Sequence, residues 1–294
     1  MKLQGSIVAL VTPFDKNGQI DKEQLVKNIK FQLTNQTDGF VVCGTTGEAP
    51  TLSEKEWEDV VATTVQTVAH KKAVIVGCGT NATDKTIKFA IRAEALKADA
   101  LLVVTPYYNK PTQEGLFRHF EKIANTVSIP IIIYNIPARC AVNMLPKTIE
   151  RLYKKYPKQI IGVKEASGSL DQCQEIINAC GNEFIVLSGD DSLTLPILSI
   201  GGRGVISVIA NLVPRMVAKM IRYFWVGKIE KAQLINQQLF ALSKVMFIET
   251  NPAPIKYAMS LLGMGLNILR LPLVGVSEES QKIIQQTLKR YKII

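Results

Sequence analysis

Eight short apolar segments alternate with eight amphipathic segments along residues 1–226. Each apolar segment is rich in β-branched residues and hydrophobic at nearly every position, which is typical of parallel strands covered on both faces. An eightfold alternation of this kind favours an α/β fold in which the strands close into a (β/α)8 TIM barrel. The predicted strands are 6–11, 39–44, 73–78, 100–105, 129–134, 159–164, 184–189 and 204–209.

The amphipathic segments predict the helices that connect these strands, with Ser53 and Thr83 as expected N-caps. The predicted helices are 21–36, 53–69, 83–97, 113–126, 145–155, 169–180, 191–200 and 214–226. No GxGxxG motif follows the first strand, which argues against a doubly wound nucleotide-binding sheet. Residues 227–294 continue the helical periodicity without further strands, and no linker rich in Gly, Ser or Pro precedes them. We therefore predict a barrel with the active site over residues 1–226, and a C-terminal helical region over residues 227–294 that packs on it.

Several kinds of protein are disfavoured by composition. No apolar run approaches the ~18–20 residues of a membrane helix. The start MKLQGSIVALVTPFD has a short apolar stretch broken by Thr12-Pro13, unlike a signal peptide. We therefore expect a cytoplasmic protein with no membrane partner. The net charge is +10, but the lysines are spread singly and form no basic block, so we expect a solvated enzyme surface and no nucleic-acid partner.

Metal and disulfide frameworks are also not expected. The five cysteines are odd in number and scattered, and no CxxC motif occurs. Of the two histidines, His70 lies at the end of a predicted helix and His119 lies within one, and both are expected to pack or to face solvent. Catalysis is therefore predicted to use neither a histidine triad nor a histidine-rich metal site.

Polar residues follow the predicted strands, at the end where a barrel carries its active site. The sixth strand ends on Lys164 within IIGVKEASG (160–168), and the eighth contains Ile206. Because all strands are parallel, these residues are expected to share one rim with the segments after the other strands. Those segments are TP (12–13), GTTGEA (44–49), GTN (79–81), TPYYNKP (105–111), NIPAR (135–139) and SGDD (188–191).

Lys164 is the most informative of these residues, because burying an unpaired charge costs several kcal/mol. An amine that points into a closed apolar barrel is desolvated, which disfavours the ammonium form and makes a neutral amine available. A neutral lysine can attack a ketone and form a Schiff base. The alternative is a structural lysine that reaches solvent along its stem or pairs with Glu165.

Other rim residues allow both a functional and a structural interpretation. The GTTG turn (44–47) could bind a small carboxylate through its N–H groups and two hydroxyls, or could be an ordinary strand–helix turn. Tyr134 could carry protons, or could be a packed core tyrosine. Arg139 could bind a second carboxylate with two hydrogen bonds, or could be a surface arginine.

Four motifs, in this order and at these spacings, resemble the dihydrodipicolinate synthase family of pyruvate-dependent class I aldolases. They are GTTGE (44–48), TPYYNKPTQEG (105–115), YNIPAR (134–139) and GVKEASG (162–168). The resemblance covers nearly the whole chain, including NPAPIKYAM (251–259) near its end. The family also contains N-acetylneuraminate lyase, so the resemblance alone leaves the aldehyde substrate open.

The resemblance implies catalytic roles for residues that match the family's motifs. Lys164 would condense with pyruvate, and Tyr134 would shuttle protons as the Schiff base forms and is released. Thr45 and Thr46 would hold the pyruvate carboxylate, with Thr45 also in the proton relay. Tyr108 would complete that relay from a neighbouring subunit, which implies a homo-oligomer, in the family usually a tetramer.

The resemblance also implies the second substrate and the absence of a cofactor. Arg139 would bind the carboxylate of L-aspartate 4-semialdehyde, while Gly189 and Ile206 would line the site through backbone carbonyls. The product would be 4-hydroxy-tetrahydrodipicolinate, a precursor in lysine and diaminopimelate biosynthesis. No metal or organic cofactor is implied, since the lysine itself supplies the electron sink.

Substrate choice within the family depends on two positions. Neuraminate-cleaving relatives usually read GSTGE and lack the arginine of the YNxPxR stretch, so Thr46 and Arg139 favour the synthase. A 2-keto-3-deoxy-sugar-acid aldolase is a further alternative, although its site would need hydroxyl-binding polar groups. A basic barrel retained only for binding is the alternative from a different class, but here every catalytic position is filled.

Regulation is where the chain departs from its relatives. In lysine-inhibited members, lysine binds at a subunit interface near the positions of Ala49, Asn81 and Tyr107. Sensitive members of the enterobacterial type carry histidines at the positions of Glu54 and Trp57, and a glutamate at the position of Lys85. A cationic Lys85 would repel a cationic effector, so we predict weak or absent lysine inhibition.

Overall fold

The computed structural model describes residues 3–294, and its parallel strands close into the predicted barrel. Each strand pairs with the next one along the chain, and β8 pairs back to β1. Every observed strand overlaps its predicted segment. The strands are β1 (Gly5–Ala9), β2 (Gly39–Val42), β3 (Ala73–Gly77), β4 (Ala100–Val104), β5 (Ile131–Asn135), β6 (Ile160–Glu165), β7 (Ile185–Ser188) and β8 (Gly204–Ser207).

Successive side chains of a strand point to opposite faces, so the barrel separates two hydrophobic clusters. The smaller cluster fills the barrel interior and includes Ile75, Ile132, Tyr134 and Ile206. The larger cluster lies between the strands and the surrounding helices and includes Val163. The register of β5 and β6 pairs Tyr134 with Lys164, so the barrel wall sets these two residues side by side.

The predicted connecting helices are present with small shifts at their ends. Seven of them keep one helix: α1 (Lys22–Thr34), α2 (Glu54–Val68), α3 (Thr83–Ala95), α4 (Gln113–Ala124), α6 (Pro146–Lys155), α7 (Leu170–Cys180) and α9 (Pro214–Trp225). The segment predicted over 191–200 divides into a 3-10 turn (Asp191–Leu193) and the short helix α8 (Thr194–Ser199). A further short helix, α5 (Pro137–Cys140), follows β5 and was not predicted.

One of the two expected N-caps is confirmed. Ser53 caps α2 with a capping box, since Ser53 Oγ accepts the N–H of Glu56 and the Glu56 carboxylate accepts the N–H of Ser53. The expectation for Thr83 was wrong: α3 starts at Thr83 itself, after Ala82. The Thr83 hydroxyl instead lies 2.9 Å from Nδ1 of His119, a buried histidine on α4.

Three more helices follow α9, as the periodicity of residues 227–294 predicted. They are α10 (Ile229–Val245), α11 (Ala253–Leu261) and α12 (Glu278–Arg290). Helix α10 packs along α9, and α11 packs against α12. The division of the chain into two units at residue 226 stays a prediction. Within residues 3–294, no helix is both long and apolar enough to cross a membrane.

Candidate active site

Lys164 lies inside the barrel, beside Tyr134. Because Val163 belongs to the outer cluster, the next side chain along β6 faces the interior. Lys164 is 7% exposed, and its Nζ lies 4.1 Å from the centre of the Tyr134 ring. No carboxylate of residues 3–294 lies within 4.0 Å of this nitrogen. The structure therefore places a buried amine, without a counter-ion, against an aromatic ring.

Glu165 does not pair with Lys164. Its carboxylate accepts hydrogen bonds from Asn135 Nδ2 at 3.0 Å, Gln172 Nε2 at 3.1 Å and the backbone N–H of Ser167 at 2.7 Å. These donors satisfy the buried carboxylate on the outer face of the strand. The alternative in which Lys164 reaches solvent or pairs with Glu165 is therefore wrong.

The GTTG turn after β2 presents donors to the mouth of the barrel. Backbone hydrogen bonds from Gly47 to Gly44 and from Glu48 to Thr45 close the turn at 3.1 Å each. Within residues 3–294, no acceptor is recorded for the N–H groups of Thr45 and Thr46. Two N–H groups and two hydroxyls in one tight turn form a donor set suited to a small carboxylate.

Thr46 is fixed from the C-terminal part of the chain. Its Oγ1 accepts a hydrogen bond from Asn251 Nδ2 at 3.1 Å. The backbone carbonyl of Asn251 in turn accepts a hydrogen bond from Arg139 Nη2 at 3.3 Å. Arg139 lies on α5, exposed at the rim, so its guanidinium can reach a ligand that enters from solvent.

A cavity of about 360 Å³ opens at this rim. Thr45, Tyr134 and Arg139 line it, as do Tyr107 and Lys85. A volume of this size is at the lower end of the range for small-molecule sites, about 300–1,000 Å³. The structure therefore brings three of the predicted site residues to one cavity, and one of them, Tyr134, lies against Lys164.

Five of the predicted site residues do not line this cavity: Lys164, Thr46, Gly189, Ile206 and Tyr108. Of these five, Tyr108 is the one that is exposed to solvent. Its side chain is 89% exposed and its backbone has a φ of +73°, a conformation that bulky residues adopt rarely. The loop after β4 thus holds an aromatic side chain out in solvent. Within one chain, the relay implied by the resemblance lacks its second tyrosine.

Gly189 and Ile206 lie at the ends of β7 and β8. Ile206 is buried in the interior cluster, and the N–H of Gly189 donates to the carbonyl of Glu165 at 2.7 Å.

Asp191 stabilises the turn after β8, where its Oδ2 accepts the N–H groups of Val208 at 2.9 Å and Ile209 at 3.1 Å. Burial raises the pKa of Asp191 to about 6, against these hydrogen bonds.

Sequence reasoning missed three residues that shape the site: Asp191, Asn251 and Lys256. Asp191 is the last residue of the SGDD segment, and the other two belong to NPAPIKYAM. Each is a polar residue within an otherwise apolar or turn-forming segment, which is the one local signal that could have singled it out. Their partners lie far away in the chain, so spacing could not identify them.

No metal centre was predicted, and the described part of the chain offers no obvious one. Among residues 3–294, no group of three His, Cys, Asp or Glu side chains comes together in a way that could hold a metal ion. The expectation that catalysis needs no cofactor stays a prediction.

Known proteins resemble the chain along almost its full length. The model of the Dihydrodipicolinate synthetase family matches residues 2–291. The 4-hydroxy-tetrahydrodipicolinate synthase of Geobacter sp. (strain M21) is 47% identical over 291 residues, covering 99% of both chains. The protein of the same name from Methanococcus aeolicus is 48% identical over 292 residues, covering 99% of this chain and 100% of the relative.

Solved structures agree with this relationship. The crystal structure of dihydrodipicolinate synthase from Aquifex aeolicus is 46% identical and superposes with a TM-score of 0.97, covering 99% of both chains. Similarity of this extent in both sequence and fold identifies the family. The chain belongs to the dihydrodipicolinate synthetase family.

Proposed function

We propose that the protein is a Schiff-base-forming lyase that condenses pyruvate with L-aspartate 4-semialdehyde to 4-hydroxy-tetrahydrodipicolinate. The reaction would belong to lysine and diaminopimelate biosynthesis. The observation that carries the proposal is the buried Lys164, which has no carboxylate partner among residues 3–294. It lies against Tyr134, a lining residue of a small cavity. The activity is also supported by relatives that are 47–48% identical over 99% of the chain, since they are named 4-hydroxy-tetrahydrodipicolinate synthases.

The first steps join pyruvate to the protein. The neutral amine of Lys164 attacks the ketone carbon of pyruvate, and loss of water gives a protonated imine. The centre of the Tyr134 ring lies 4.1 Å from this nitrogen, and the Tyr134 phenol would move the protons that addition and dehydration require. The N–H groups and hydroxyls of Thr45 and Thr46 would hold the pyruvate carboxylate meanwhile.

The next steps form the new carbon–carbon bond and release the lysine. The cationic imine draws electrons from the methyl group, which loses a proton and becomes an enamine. The enamine carbon attacks the aldehyde carbon, and the aldehyde oxygen takes up a proton. The amino group of the second substrate then replaces Lys164 at the imine carbon, which closes the ring and regenerates the free amine. These steps balance without an oxidant or a reductant.

Arg139 would select the second substrate. Its guanidinium lines the cavity and is fixed by the carbonyl of Asn251, which leaves the remaining N–H groups for a carboxylate. Aspartate semialdehyde carries such a carboxylate, whereas a sugar aldehyde presents hydroxyls. Thr46 and Arg139 therefore favour the synthase over a neuraminate lyase or a sugar-acid aldolase.

A homo-oligomer, in the form of a tetramer built from two dimers, would complete the site. Tyr108 is held in solvent by a left-handed backbone conformation, as expected for a side chain that enters a neighbouring subunit. The relay Thr45–Tyr134–Tyr108 would then combine residues of two chains. The cytoplasmic location stays a prediction.

The test is a comparison of aldehyde acceptors with the purified protein. We expect pyruvate consumption with L-aspartate 4-semialdehyde, and at most trace consumption with N-acetylmannosamine or with aldehydes that lack a carboxylate. Arg139→Leu should remove the preference mainly by raising KM for the semialdehyde. If a sugar aldehyde is turned over as fast as L-aspartate 4-semialdehyde or faster, the proposal is wrong and the protein is the corresponding sugar aldolase.

A further inference from the structure

Asn251 links two proposed substrate-binding residues that come from different loops. Its side-chain Nδ2 donates to Thr46 Oγ1 at 3.1 Å, and its backbone carbonyl accepts from Arg139 Nη2 at 3.3 Å. The residue is 4% exposed, so its contact with Thr46 is shielded from water, whereas its contact with the exposed Arg139 is only partly buried. No other residue of the described chain is recorded as bonding to both Thr46 and Arg139.

The hydrogen bond from Asn251 leaves the hydroxyl proton of Thr46 free to be donated elsewhere. A threonine hydroxyl has one proton and two acceptor positions. Since Asn251 donates into one acceptor position, the Thr46 proton remains available for a different partner. Because the neighbouring Thr45 lines the cavity, that partner would be an anionic ligand bound there.

The segment that carries Asn251 is itself firmly attached to the same turn. Lys256, five residues further on and at the start of α11, donates from Nζ to Glu48 Oε1 at 2.6 Å and to the carbonyl of Thr12 at 3.2 Å. Thr12 Oγ1 donates to the carbonyl of Gly47 at 2.8 Å. The C-terminal segment and the GTTGE turn therefore form one hydrogen-bonded unit.

We infer that Asn251 is a positioning residue, which aims the Thr46 hydroxyl at the carboxylate of pyruvate and independently supports Arg139 through its backbone. The inference rests on the proposed function of the site. Asn251 touches no reacting atom in this account and acts through Thr46. Its side chain serves the pyruvate subsite, and its backbone serves the subsite of the aldehyde.

The inference predicts a separation of the two Michaelis constants. Asn251→Ala removes the hydrogen bond to Thr46 but keeps the carbonyl that supports Arg139. KM for pyruvate should rise about tenfold, the effect of one hydrogen bond to a group that contacts a charged ligand. KM for L-aspartate 4-semialdehyde should change less than about twofold, because the support of Arg139 is unchanged.

A double-mutant cycle shows whether Asn251 acts through Thr46. Thr46→Val removes the hydroxyl at nearly constant volume, so adding Asn251→Ala to it should change KM for pyruvate by less than about twofold. Asn28→Ala is the matched control, since Asn28 is a buried asparagine whose Nδ2 donates to the Met264 carbonyl at 3.1 Å, away from the site. It should leave both constants unchanged.

The same preparations separate this inference from the proposed function. If Asn251→Ala does not fold, as judged by circular dichroism, the cycle is run with Asn251→Ser, whose shorter side chain no longer reaches Thr46. Either of two results would overturn the positioning role. One is that Asn251→Ala raises KM for pyruvate by the same factor in the wild-type protein and in Thr46→Val. The other is that Asn251→Ala raises KM for pyruvate and KM for L-aspartate 4-semialdehyde in parallel. Failure of the wild-type protein to form a borohydride-trapped pyruvate adduct would overturn the proposed function and this inference together.

Discussion

The ammonium nitrogen of Lys256 lies 2.6 Å from a carboxylate oxygen of Glu48, and both side chains are 1% exposed. Each partner has further contacts. Lys256 Nζ lies 4.1 Å from the centre of the Phe14 ring, and the second Glu48 oxygen accepts a hydrogen bond from the backbone N–H of Arg270 at 3.1 Å. The pair joins the GTTGE turn to α11. A fully bonded buried ion pair is costly to break on one side only, because the remaining charge has no partner.

We expect Lys256→Met to destabilise the fold by about 3–5 kcal/mol, since Glu48 is left charged and buried. The double variant Glu48→Gln with Lys256→Met removes both charges and should recover most of this loss. Urea unfolding at a fixed subunit concentration measures both. Lys22→Met is the control, because the exposed pair Lys22–Asp59 should contribute at most about 1 kcal/mol. Equal loss in the single and double variants would contradict the importance of charge pairing.

Asp191 should make the stability depend on pH in an unusual direction. Burial raises its pKa from 3.8 to about 6, so the folded protein holds this proton more tightly than the unfolded chain. Its contribution is therefore fully present below about pH 4 and is lost as pH rises through about 6. The substituted side chain of Asp191→Asn cannot ionise, so this variant does not lose stability in that way as pH rises.

The measurement is urea unfolding of wild type and Asp191→Asn between pH 4 and pH 7. The free energy of unfolding of wild type relative to the variant should fall by up to about 3 kcal/mol over this range, at 1.36 kcal/mol per pKa unit. Other titrating groups are common to both proteins and cancel in the difference. A difference that stays constant with pH would mean that folding leaves the pKa of Asp191 unchanged, which would contradict the prediction.

Tyr108 should act across a subunit interface. Tyr108→Phe is expected to lower kcat about a hundredfold, as for removal of a general acid–base group. Hybrids of Tyr108→Phe and Lys164→Ala subunits, formed by co-expression, should regain up to half the wild-type activity, because one site then holds both Lys164 and Tyr108. In the control hybrid, Tyr108→Phe subunits are combined with subunits that carry both Tyr108→Phe and Lys164→Ala. This hybrid should regain no activity, because neither subunit supplies Tyr108. Absence of recovery in the first hybrid would contradict a shared site.

Lysine inhibition should be weak or absent. Lys85 lines the same cavity as Ala49, Trp57 and Tyr107, and its charge opposes binding of a cationic effector. Initial rates at saturating pyruvate should not fall at micromolar lysine, whereas Lys85→Glu should increase sensitivity. Trp57 is buried and donates from Nε1 to the Gly77 carbonyl at 3.0 Å, so this position is already occupied by a structural side chain. Inhibition of the wild-type protein by micromolar lysine would refute the prediction.

The barrel could be predicted from the sequence because every strand carries its own signal. Two covered faces demand apolar residues throughout a strand, so segments such as AVIVG (73–77) stand out without any knowledge of their neighbours. The inward direction of Lys164 follows from the same rule, since it alternates with Val163. The cap at Ser53 was predictable because its partner, Glu56, lies only three residues away.

The remaining features depend on contacts that local patterns do not contain. Asn251 reaches Thr46 across 205 residues, and Lys256 reaches Glu48 across 208 residues. Thr83 has the residue type of an N-cap, but a tertiary hydrogen bond to His119 uses its hydroxyl instead. In the proposed oligomer, the position of Tyr108 relative to a site would depend on a second chain, which neither periodicity nor one folded chain determines.

In the proposed mechanism, Lys164 forms a Schiff base with pyruvate. The direct test is the intact mass of the protein after sodium borohydride treatment, with and without pyruvate, followed by peptide mapping. We expect one pyruvate-dependent adduct per chain on the peptide that contains Lys164, and none in Lys164→Arg. No adduct on well-folded protein, or an adduct on another lysine such as Lys256, would contradict it.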